Sequence, residues 1–459
     1  MSKKLSRKDF LKNSAAVAAA ASVGGASVLT SCASGGQKAA EGNARLYSEE
    51  LVKKIPVFMD RAVEGKPIRA AQIGCGGRGT GASFNFLSAG DGLSVEVLVD
   101  VLPDKIEACR ELLNKEKGQN ISKDKCYLGF DAYKKAMEDP NIDVVLICVP
   151  SRFAPAIFAA AIESGKHVFL EKPCGVDAPG ARSVMATAKR ADSKGLSVVC
   201  GTQRRHGRHY AACFEQVAAG AIGEIRGGSC SWDTARTSYV NRKPGWTDAE
   251  YLIRNWLNYP FLGGDCIVDH HIHNIDVITW FLGEKNPVRA RGYGAKVHPS
   301  LGAKYDFYAV EYIYDNDIRI FSSTRHIDGC TNNVSEYLVG TKGKTNCLDT
   351  IWDMDGNVIW KYEGSRKDEY DQEHVDWVNS IRQNKPLNEA HNMARSTMIT
   401  IMGRNSAWTG IDTTWDDMMA TDETLLPDIT ALGLVPYSDE HPVPGQATVK
   451  DATGQNWKV

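Results

Sequence analysis

Two short stretches of the sequence carry residue types that can move a proton at a hydroxyl group. Lys172 follows a strand-like run, and Asp269 and His273 lie in the segment 263–276. A lysine at the carboxyl end of a parallel strand points into the crevice where ligands bind. On a helix, Asp269 and His273 share one face, with Asp276 three residues further on. A neutral imidazole can accept a hydroxyl proton while hydride leaves the same carbon, so these residues indicate oxidation of an alcohol.

The same residue types are compatible with two other interpretations. His270 and His271 add metal-ligand types beside Asp269 and His273, but adjacent histidines point to different faces of a helix and cannot easily chelate one ion. The sequence has no H-E-x-x-H or C-x-x-C motif, so we predict no bound metal. A structural cluster, with Lys172 as an ordinary surface lysine, stays open at this point.

An upstream feature predicts the hydride acceptor. An apolar strand pattern leads into G-x-G-x-x-G at Gly74, Gly76 and Gly79. These glycines allow a tight strand-to-helix turn, a close approach of backbone amides to a pyrophosphate, and close packing of the helix on its strand. The next strand ends in Asp100, which can accept both ribose hydroxyls of NAD, and no arginine follows it at once. We therefore predict NAD, with NADP less favoured; the alternative is a glycine-rich turn in another α/β protein.

Strand and helix patterns alternate in the first half of the chain. Strands are predicted at 68–74, 94–100, 143–149, 167–171 and 197–201, with helices at 78–89, 103–117, 131–138, 153–164 and 177–194. This βαβ order indicates a parallel sheet. The unbroken apolar run 144–149 is typical of a strand buried on both faces.

The second half has a different pattern. Apolar and polar residues alternate within 225–232, 289–293, 308–314, 318–324 and 336–340. This alternation favours an antiparallel or mixed sheet with one covered face. Helices are expected at 263–282, 371–383 and 391–407. The predicted fold class is therefore α/β, with an N-terminal Rossmann parallel sheet and a C-terminal α+β domain built on an open, mostly antiparallel sheet.

Composition limits the classes of partner. The 459 residues, 43% of them hydrophobic, allow two domains with a sizeable core. A net charge of −2 gives no electrostatic basis for a nucleic-acid partner. The 12 cysteines are scattered and match neither a disulfide framework nor a zinc ribbon.

The first 32 residues have the pattern of an export signal. A charged start at 6–12 precedes an Ala-rich run that is too short to span a membrane, and the sequence Leu29-Thr-Ser-Cys32 resembles a bacterial lipobox. The start resembles a twin-arginine signal in which Lys8 replaces the second arginine. We predict a signal peptide, lipidation at Cys32 as the only membrane attachment, and a periplasmic or cell-surface protein. A disordered tail on a cytoplasmic enzyme is the alternative.

Four motifs in order resemble the glucose–fructose oxidoreductase, inositol dehydrogenase and rhizopine-catabolism (Gfo/Idh/MocA) family. They are I-G-C-G-G-R-G at 73–79, E-K-P at 171–173, G-G-D-C-I-V-D-H-H-I-H-N-I-D at 263–276, and M-G-R-N-S-A-W-T-G at 402–410 with T-W-D at 414–416. The resemblance covers about residues 67–420. It implies NAD(P)-linked redox chemistry on a sugar or cyclitol, in a homo-oligomer.

The resemblance implies the two central domains, and the sequence pattern predicts the segments on either side of them. A linker and an N-terminal arm (33–66, with a short helix expected at 44–66) follow the signal peptide at 1–32. An NAD-binding Rossmann domain at 67–195 precedes a substrate and oligomerisation domain at 196–420. An extended arm at 421–459 ends the chain.

Roles carry over by position from the resemblance. Lys172 is implied to hydrogen-bond the reacting hydroxyl and lower its pKa, His273 to accept the proton, and Asp269 to be the partner of His273 or a substrate ligand. The implied cofactor-binding residues are Gly74, Gly76, Gly77, Arg78, Gly79, Asp100, Pro150, Glu171 and Lys172. The family commonly has D-x-G-x-H, and His271 replaces that glycine here, which indicates an altered pocket. The substrate-binding candidates are Arg204, His206, His271 and His326.

Three functions are compatible with these residues. The first is an oxidoreductase that keeps its NAD bound, because the periplasm has no dependable pool of free NAD. The second is an NAD-dependent glycosidase that oxidises a ring hydroxyl transiently and eliminates the aglycone. The third is a non-catalytic sugar-binding lipoprotein, which the intact set Lys172, Asp269 and His273 argues against.

Overall fold

The computed structural model describes residues 46–48, 51–52, 55–299, 301–445, 448–450 and 456–458. The expected signal peptide, Cys32 and the linker that follows lie outside the described residues. Of the arm expected to be helical, residues 55–66 form no helix and lead directly into the first strand. None of the helices among the described residues has the length and apolar character needed to cross a bilayer.

The first sheet has six parallel strands in the order β3-β2-β1-β4-β5-β6. The strands are β1 Ile68–Ile73, β2 Leu93–Asp100, β3 Cys126–Leu128, β4 Val144–Ile147, β5 His167–Leu170 and β6 Val198–Cys200. The connecting helices are α1 Gly77–Ser88, α2 Pro103–Lys117, α3 Tyr133–Glu138, α4 Ala154–Glu163 and α5 Ala178–Ser193. The predicted Rossmann sheet is therefore confirmed. The sequence did not indicate β3, because only three half-exposed residues pair with β2.

Both faces of the parallel sheet are covered. Ala71 and Ile73 pack in a core with α4, α5 and the start of a late helix, whereas Ala70 and Val144 pack in a second core with Phe86 of α1 and another late helix. These late helices are α11 Glu369–Arg382 and α12 Ala390–Thr409. The chain thus returns to the first sheet after it has built the second domain.

The second sheet has nine strands in the order β14-β13-β12-β11-β7-β10-β9-β8-β15. The strands are β7 Ile225–Thr234, β8 Arg289–Ala295, β9 Phe307–Ile313, β10 Arg319–His326, β11 Asn333–Gly340, β12 Gly343–Thr345, β13 Thr350–Asp353, β14 Val358–Lys361 and β15 Thr413–Thr414. Only β7 and β10 pair in parallel, so the predicted open and mostly antiparallel sheet is confirmed. The remaining helices are α6 Arg208–Ala218, α7 Asp248–Arg254, α8 Pro260–Gly263, α9 Cys266–Asp269, α10 Ile272–Phe281 and α13 Trp415–Ala420, with 3₁₀ turns at Lys123–Lys125, Gln203–His206, Trp256–Asn258 and Asp315–Asp317.

The single helix expected at 263–282 is wrong, because the chain breaks there into α8, α9 and α10. Gly264 and Asp265 have left-handed backbone conformations, with φ of 86° and 84°, which end α8. The Asp265 carboxylate compensates for this conformation by accepting hydrogen bonds from the backbone N–H of Cys266 and from the Tyr308 hydroxyl. Asp269 therefore ends one helix and His273 lies in the first turn of the next.

Residues 421–445 of the predicted C-terminal arm contain no helix or strand. It nevertheless packs against the body of the protein, because Leu425 and Ile429 are buried. Two short strands, β16 Thr448–Lys450 and β17 Asn456–Lys458, pair with each other in antiparallel fashion.

Candidate active site

A cavity of about 1040 Å³ lies between the two domains and collects most of the predicted site residues. Its wall includes the glycine turn after β1, the ends of β2, β4 and β5, and the α9–α10 segment. All nine residues predicted to bind the cofactor line it, as do Asp269 and His273. This arrangement follows from the parallel sheet, whose strand carboxyl ends meet at one edge.

The glycine turn is shaped as a cradle. Gly74 has φ of 89°, and a Cβ atom there would lie 2.1 Å from the main-chain oxygen of Cys148. A Cβ at Gly79 would lie 1.8 Å from the main-chain oxygen of Gly74, so both positions require glycine for backbone packing. At Gly76 and Gly77, by contrast, a Cβ would meet no atom within 4 Å. Open space next to the first amides of α1 is what a pyrophosphate needs.

Asp100 closes the other side of the turn. Its carboxylate accepts hydrogen bonds from the backbone N–H of Cys75 at 2.6 Å and of Leu102 at 2.9 Å. Burial raises the pKa of Asp100 above its ordinary value, although these backbone donors oppose the shift. The side chain faces the cavity at the end of β2, where the ribose of a dinucleotide is expected.

Arg78 and Glu171 form an ion pair in the cavity wall. The Arg78 guanidinium also pairs with buried Glu373 at 3.3 Å and lies over the ring of Tyr370, 4.7 Å from its centroid. Glu171 lies so close to Gly201 that a Cβ there would be 2.4 Å from a carboxylate oxygen. These contacts fix the segment that carries Lys172.

Lys172 joins the two domains in the part of the cavity wall that also contains Asp269 and His273. Its Nζ atom donates a hydrogen bond to the main-chain oxygen of Asp269 at 2.6 Å and lies 3.8 Å from Asp269 Oδ1. The Asp269 carboxylate is also 3.2 Å from Nδ1 of His270. Among the described residues it has no hydrogen bond to His273, so its neighbours are Lys172 and His270.

His273 is a buried imidazole in the cavity wall. Burial lowers the pKa of His273 well below its ordinary value, and the charges of Lys172 and Arg204 lower it further. Its ring stacks on Trp232 with 5.6 Å between centroids. His270 stacks on the same indole at 5.7 Å, and burial lowers its pKa as well. Both imidazoles are therefore neutral around pH 7.

Several buried polar atoms around this end of the cavity have no hydrogen-bond partner among the described residues. They are Asp269 Oδ1, His270 Nδ1, His273 Nδ1 and His326 Nδ1. Buried polar groups are normally hydrogen-bonded, and an unpaired one costs about 1–3 kcal/mol. A ligand with several hydroxyl groups could satisfy such a set.

The second group of candidates lies behind the cavity wall and does not line the cavity. His206 is wholly buried between Asp376 at 2.8 Å and Glu389 at 3.0 Å, so it is an internal ion-pair residue, and our prediction that it binds substrate is corrected. His271 is buried, and its Nε2 atom lies 2.7 Å from the Ser322 hydroxyl. It packs against the second sheet and does not re-line the pocket.

Arg204 and His326 do not line the cavity but contact residues that do. Arg204 forms a buried ion pair with Glu336 and lies over the Trp232 ring, 5.8 Å from its centroid. The His326 ring lies edge-on to His270 with 4.9 Å between centroids. These two residues therefore contact the residues that line the cavity.

The predicted neighbour Asp276 has a structural role. Its carboxylate accepts two hydrogen bonds from Arg205, at 2.7 and 2.8 Å, in a buried pair. It also accepts a hydrogen bond from the Ser396 hydroxyl at 2.7 Å, so its partners are structural residues. Within the part of the chain that the structure describes, no group of three metal-ligating side chains is placed to hold an ion.

Sequence reasoning missed three parts of the wall, which are Trp232, His270 and a C-terminal segment. Trp232 lies at the end of the alternating run predicted at 225–232, and its position there indicated only a sheet residue. The sequence indicates His270 only as a metal-ligand type. The C-terminal residues Thr424, Asp428, Ile429 and Thr430 also line the cavity, although nothing in their sequence indicated it.

Residues 68–199 match the family model described as "Oxidoreductase family, NAD-binding Rossmann fold", and residues 210–345 match the "GFO/IDH/MocA C-terminal domain". The chain belongs to the Gfo/Idh/MocA family. Its N-terminal domain is accordingly an NAD-binding Rossmann domain. The cradle at Gly76 and the carboxylate of Asp100 fit that cofactor.

Curated relatives in this family include dehydrogenases and glycosidases. The chain is 25% identical over 221 residues to myo-inositol 2-dehydrogenase of Thermotoga maritima, covering 48% of this chain and 56% of that protein. It is 25% identical over 304 residues to a glycosyl hydrolase family 109 protein of Shewanella pealeana, covering 64% and 61%. The chain thus spans less than two-thirds of the length of these curated relatives.

Solved structures show the same fold. Myo-inositol 2-dehydrogenase from Lactobacillus plantarum superposes with a TM-score of 0.56 at 21% identity, over 76% of this chain and 99% of that chain. GenD2 from gentamicin A biosynthesis, solved in complex with NAD, gives a TM-score of 0.60 at 14% identity over 78% and 99%.

Proposed function

We propose that this protein is an NAD-dependent oxidoreductase that acts on a hydroxyl group of a sugar, glycoside or cyclitol. The observation that carries the proposal is the convergence of Lys172, Asp269 and His273 at one end of a cavity whose other end is the glycine turn. A catalytic base and a cation are therefore held at the dinucleotide site by different domains.

The cofactor supplies one capability, which is to accept hydride from the carbon that bears the hydroxyl. Gly76, Gly77 and the first amides of α1 would hold its pyrophosphate, and Asp100 its ribose. The negative charge of Asp100 would repel a 2′-phosphate, which favours NAD over NADP.

Lys172 and His273 act on the proton of the reacting hydroxyl. The Lys172 ammonium stabilises the negative charge that develops on the oxygen. Because His273 is neutral, its ring can take the proton as the carbonyl forms. Asp269 holds the Lys172 ammonium through its main-chain oxygen at 2.6 Å. Its Oδ1 atom, 3.8 Å from Lys172 Nζ, has no hydrogen-bond partner among the described residues and can accept from a substrate hydroxyl.

The proposed substrate class follows from the chemistry of the wall. Asp269, His270 and His273 line the cavity, and each has a buried polar atom without a hydrogen-bond partner among the described residues. Together with the indole of Trp232 they suit a ring that carries several hydroxyls. The named activities of the relatives, on inositols and on D-glucosides in the D-glucoside 3-dehydrogenase of Escherichia coli, support this class.

The direct experiment mixes the NAD-loaded protein with a panel of sugars, glycosides and inositols and follows absorbance at the wavelength of the reduced nicotinamide. Reduction by at least one polyol is expected. If the protein binds NAD but no compound of the panel reduces it, the result would support the sugar-binding lipoprotein instead.

A second candidate, the NAD-dependent glycosidase, is favoured by His270. Once a ring carbon has become a ketone, the proton on the adjacent carbon is acidic. A base removes that proton, its electron pair forms a C=C bond, the C–O bond to the aglycone breaks, and the departing oxygen takes up a proton. His270 is a second neutral imidazole in the cavity beside His273, and the glycosyl hydrolase family 109 relative supports the same candidate.

The location of the protein is part of the proposal. We infer export with a lipid anchor at Cys32 from the lipobox-like sequence that ends there. Mass spectrometry of protein from the native host should find a lipid-modified N-terminus at Cys32. An unprocessed Met1 terminus in the soluble cytosol would contradict it.

Self-association is proposed on the outer face of the second sheet. Tyr293, Phe321 and Tyr337 expose large side chains on this face, next to the small residues Ala309 and Ser231. The same face carries charged side chains such as the Arg319–Glu311 pair. Exposed aromatic and arginine side chains together are typical of an interface with a second copy. Sedimentation should detect an oligomer in the parent and a smaller species in a Phe321→Arg variant, and a monomeric parent would contradict the proposal.

A further inference from the structure

The C-terminal segment 421–435 forms part of the cavity wall, although it lies beyond both matched domains, the second of which ends at residue 345. Four of its residues line the cavity: Thr424, Asp428, Ile429 and Thr430. Leu425 is only 1% exposed and Ile429 only 3% exposed. The segment is therefore packed in place and does not lie loosely on the surface.

Arg182, on α5 of the first domain, holds the start of this segment. Its Nη1 atom donates to the main-chain oxygens of Met418 at 3.0 Å and Thr421 at 2.6 Å. Its Nη2 atom donates to the carboxylate of Asp422 at 2.8 Å. One side chain thus fixes the chain at the point where α13 ends and the segment begins.

Asp177 links the segment to the cavity wall. Its Oδ1 atom caps α5 by accepting from the backbone N–H of Gly180 at 2.9 Å. Its Oδ2 atom accepts from the backbone N–H of Leu425 at 3.1 Å and from the Arg152 guanidinium at 2.9 Å. Arg152, which also lines the cavity, reaches Asp428 at 3.5 Å.

The far end of the segment is attached to the second domain. The main-chain oxygen of Gly433 accepts from the backbone N–H of Ala249 at 3.1 Å. The backbone N–H of Val435 donates to the Asp248 carboxylate at 3.3 Å. The segment therefore runs from the NAD-binding domain to the second domain along the cavity.

We propose that residues 421–435 are a retaining strap, a part of the dinucleotide site that must be displaced before the dinucleotide leaves. Displacement would break the bonds to Arg182 and Asp177 and expose Leu425 and Ile429 to water. The proposal rests on the proposed function, in that the ligand is NAD. By linkage, a dinucleotide that contacts the strap stabilises the strap in return.

The test measures the rate at which NADH leaves the full-length protein. NADH-loaded protein is mixed with excess NAD, and the loss of NADH fluorescence is followed. Arg182→Ala and Leu425→Asn should each release NADH at least tenfold faster than the parent. Arg190→Ala is the matched control, because this arginine lies on the same helix and pairs with Glu163 away from the strap. Release within twofold of the parent in both strap variants would overturn the proposal.

Limited proteolysis of the parent protein tests the proposal even if a variant fails to fold. Thermolysin cleaves before leucines, and the strap carries the exposed Leu434. Saturating NAD should slow cleavage between 425 and 434, relative to cleavage near the exposed residue Ile359 of β14. Equal cleavage with and without NAD, in protein that demonstrably binds NADH, would contradict the strap alone. A parent that binds no NADH would contradict the proposed function and the strap together.

Discussion

The Nζ atom of Lys172 lies 2.6 Å from the main-chain oxygen of Asp269 and 3.8 Å from its carboxylate oxygen Oδ1. Lys172 follows β5 of the first domain, and Asp269 ends α9 of the second. This contact therefore brings a cation from the dinucleotide domain to the residues that are proposed to hold the substrate. Any opening of the two domains would separate the proposed catalytic groups.

Lys172 is predicted to act in the same proton transfer as His273. Lys172→Met should slow reduction of bound NAD by about 10²–10⁴-fold, because the charge on the developing alkoxide loses its cation. The double variant with His273→Asn should be little slower than either single variant, since groups that serve one step are not additive. Stopped-flow measurement of the three proteins checks this, and multiplicative losses would show two separate roles.

Asp100 is predicted to bind the ribose of NAD. Asp100→Ala should weaken NAD binding by about 1–3 kcal/mol, because hydrogen bonds to a charged acceptor are lost. It should also narrow the preference for NAD over NADP, because the repulsion of a 2′-phosphate disappears. Titration of both nucleotides into parent and variant provides the measurement. Equal NAD affinity in the two proteins, or tighter NADP binding by the parent, would refute this role.

His271 is predicted to affect stability and not substrate choice. Burial lowers the pKa of His271 to about 3 in the folded protein. As the pH falls below about 6.5, this imidazole is therefore protonated in the unfolded chain while it is still neutral in the folded protein. The advantage of the parent over His271→Gln in unfolding free energy should therefore shrink by up to about 1.4 kcal/mol per pH unit between pH 6.5 and pH 3. Urea unfolding at pH 7.5, 6 and 5 tests this, with exposed His298→Gln as the control. A constant difference at all three pH values would mean that His271 is not held neutral.

His270 is predicted to transfer a proton at the carbon next to a ketone. A glycoside that already carries a ring ketone should exchange hydrogen for deuterium there in D₂O and lose its aglycone when mixed with the parent. The His270→Gln variant should be about 10²-fold slower or more in both processes. A polyol should still reduce the NAD that is bound to this variant. If the variant exchanges hydrogen for deuterium at the parent rate, His270 is not the base that removes this proton.

The sequence anticipated much of the fold but only part of the site. The glycine turn, Asp100 and Lys172 could be predicted because strand ends and glycine spacing are local properties. The break in the expected helix could not, because Asp265 adopts φ of 84° only with Tyr308, a residue distant in sequence, to hold its carboxylate. His206 was misassigned for the same reason, since its buried partners lie far along the chain.

The parts of the cavity that were missed are also non-local. Trp232 becomes a stacking surface only when α9 and α10 bring His270 and His273 onto it. The residues 424–430 reach the cavity only because α5 supplies Arg182 and Asp177 as anchors. The pattern of apolar and polar residues within the segment does not indicate such a contact.

The most direct test of the account is the rate at which bound NAD is reduced by a reactive polyol in His273→Asn, measured in a single turnover against the parent. The imidazole of His273 stays neutral well below pH 6.5, so the parent should lose no reduction rate to protonation of His273 between pH 8 and pH 6.5. The account predicts that the variant folds, binds NAD as the parent does, and is reduced about 10²–10⁴-fold more slowly. Reduction of the variant at the parent rate would show that His273 is not the base.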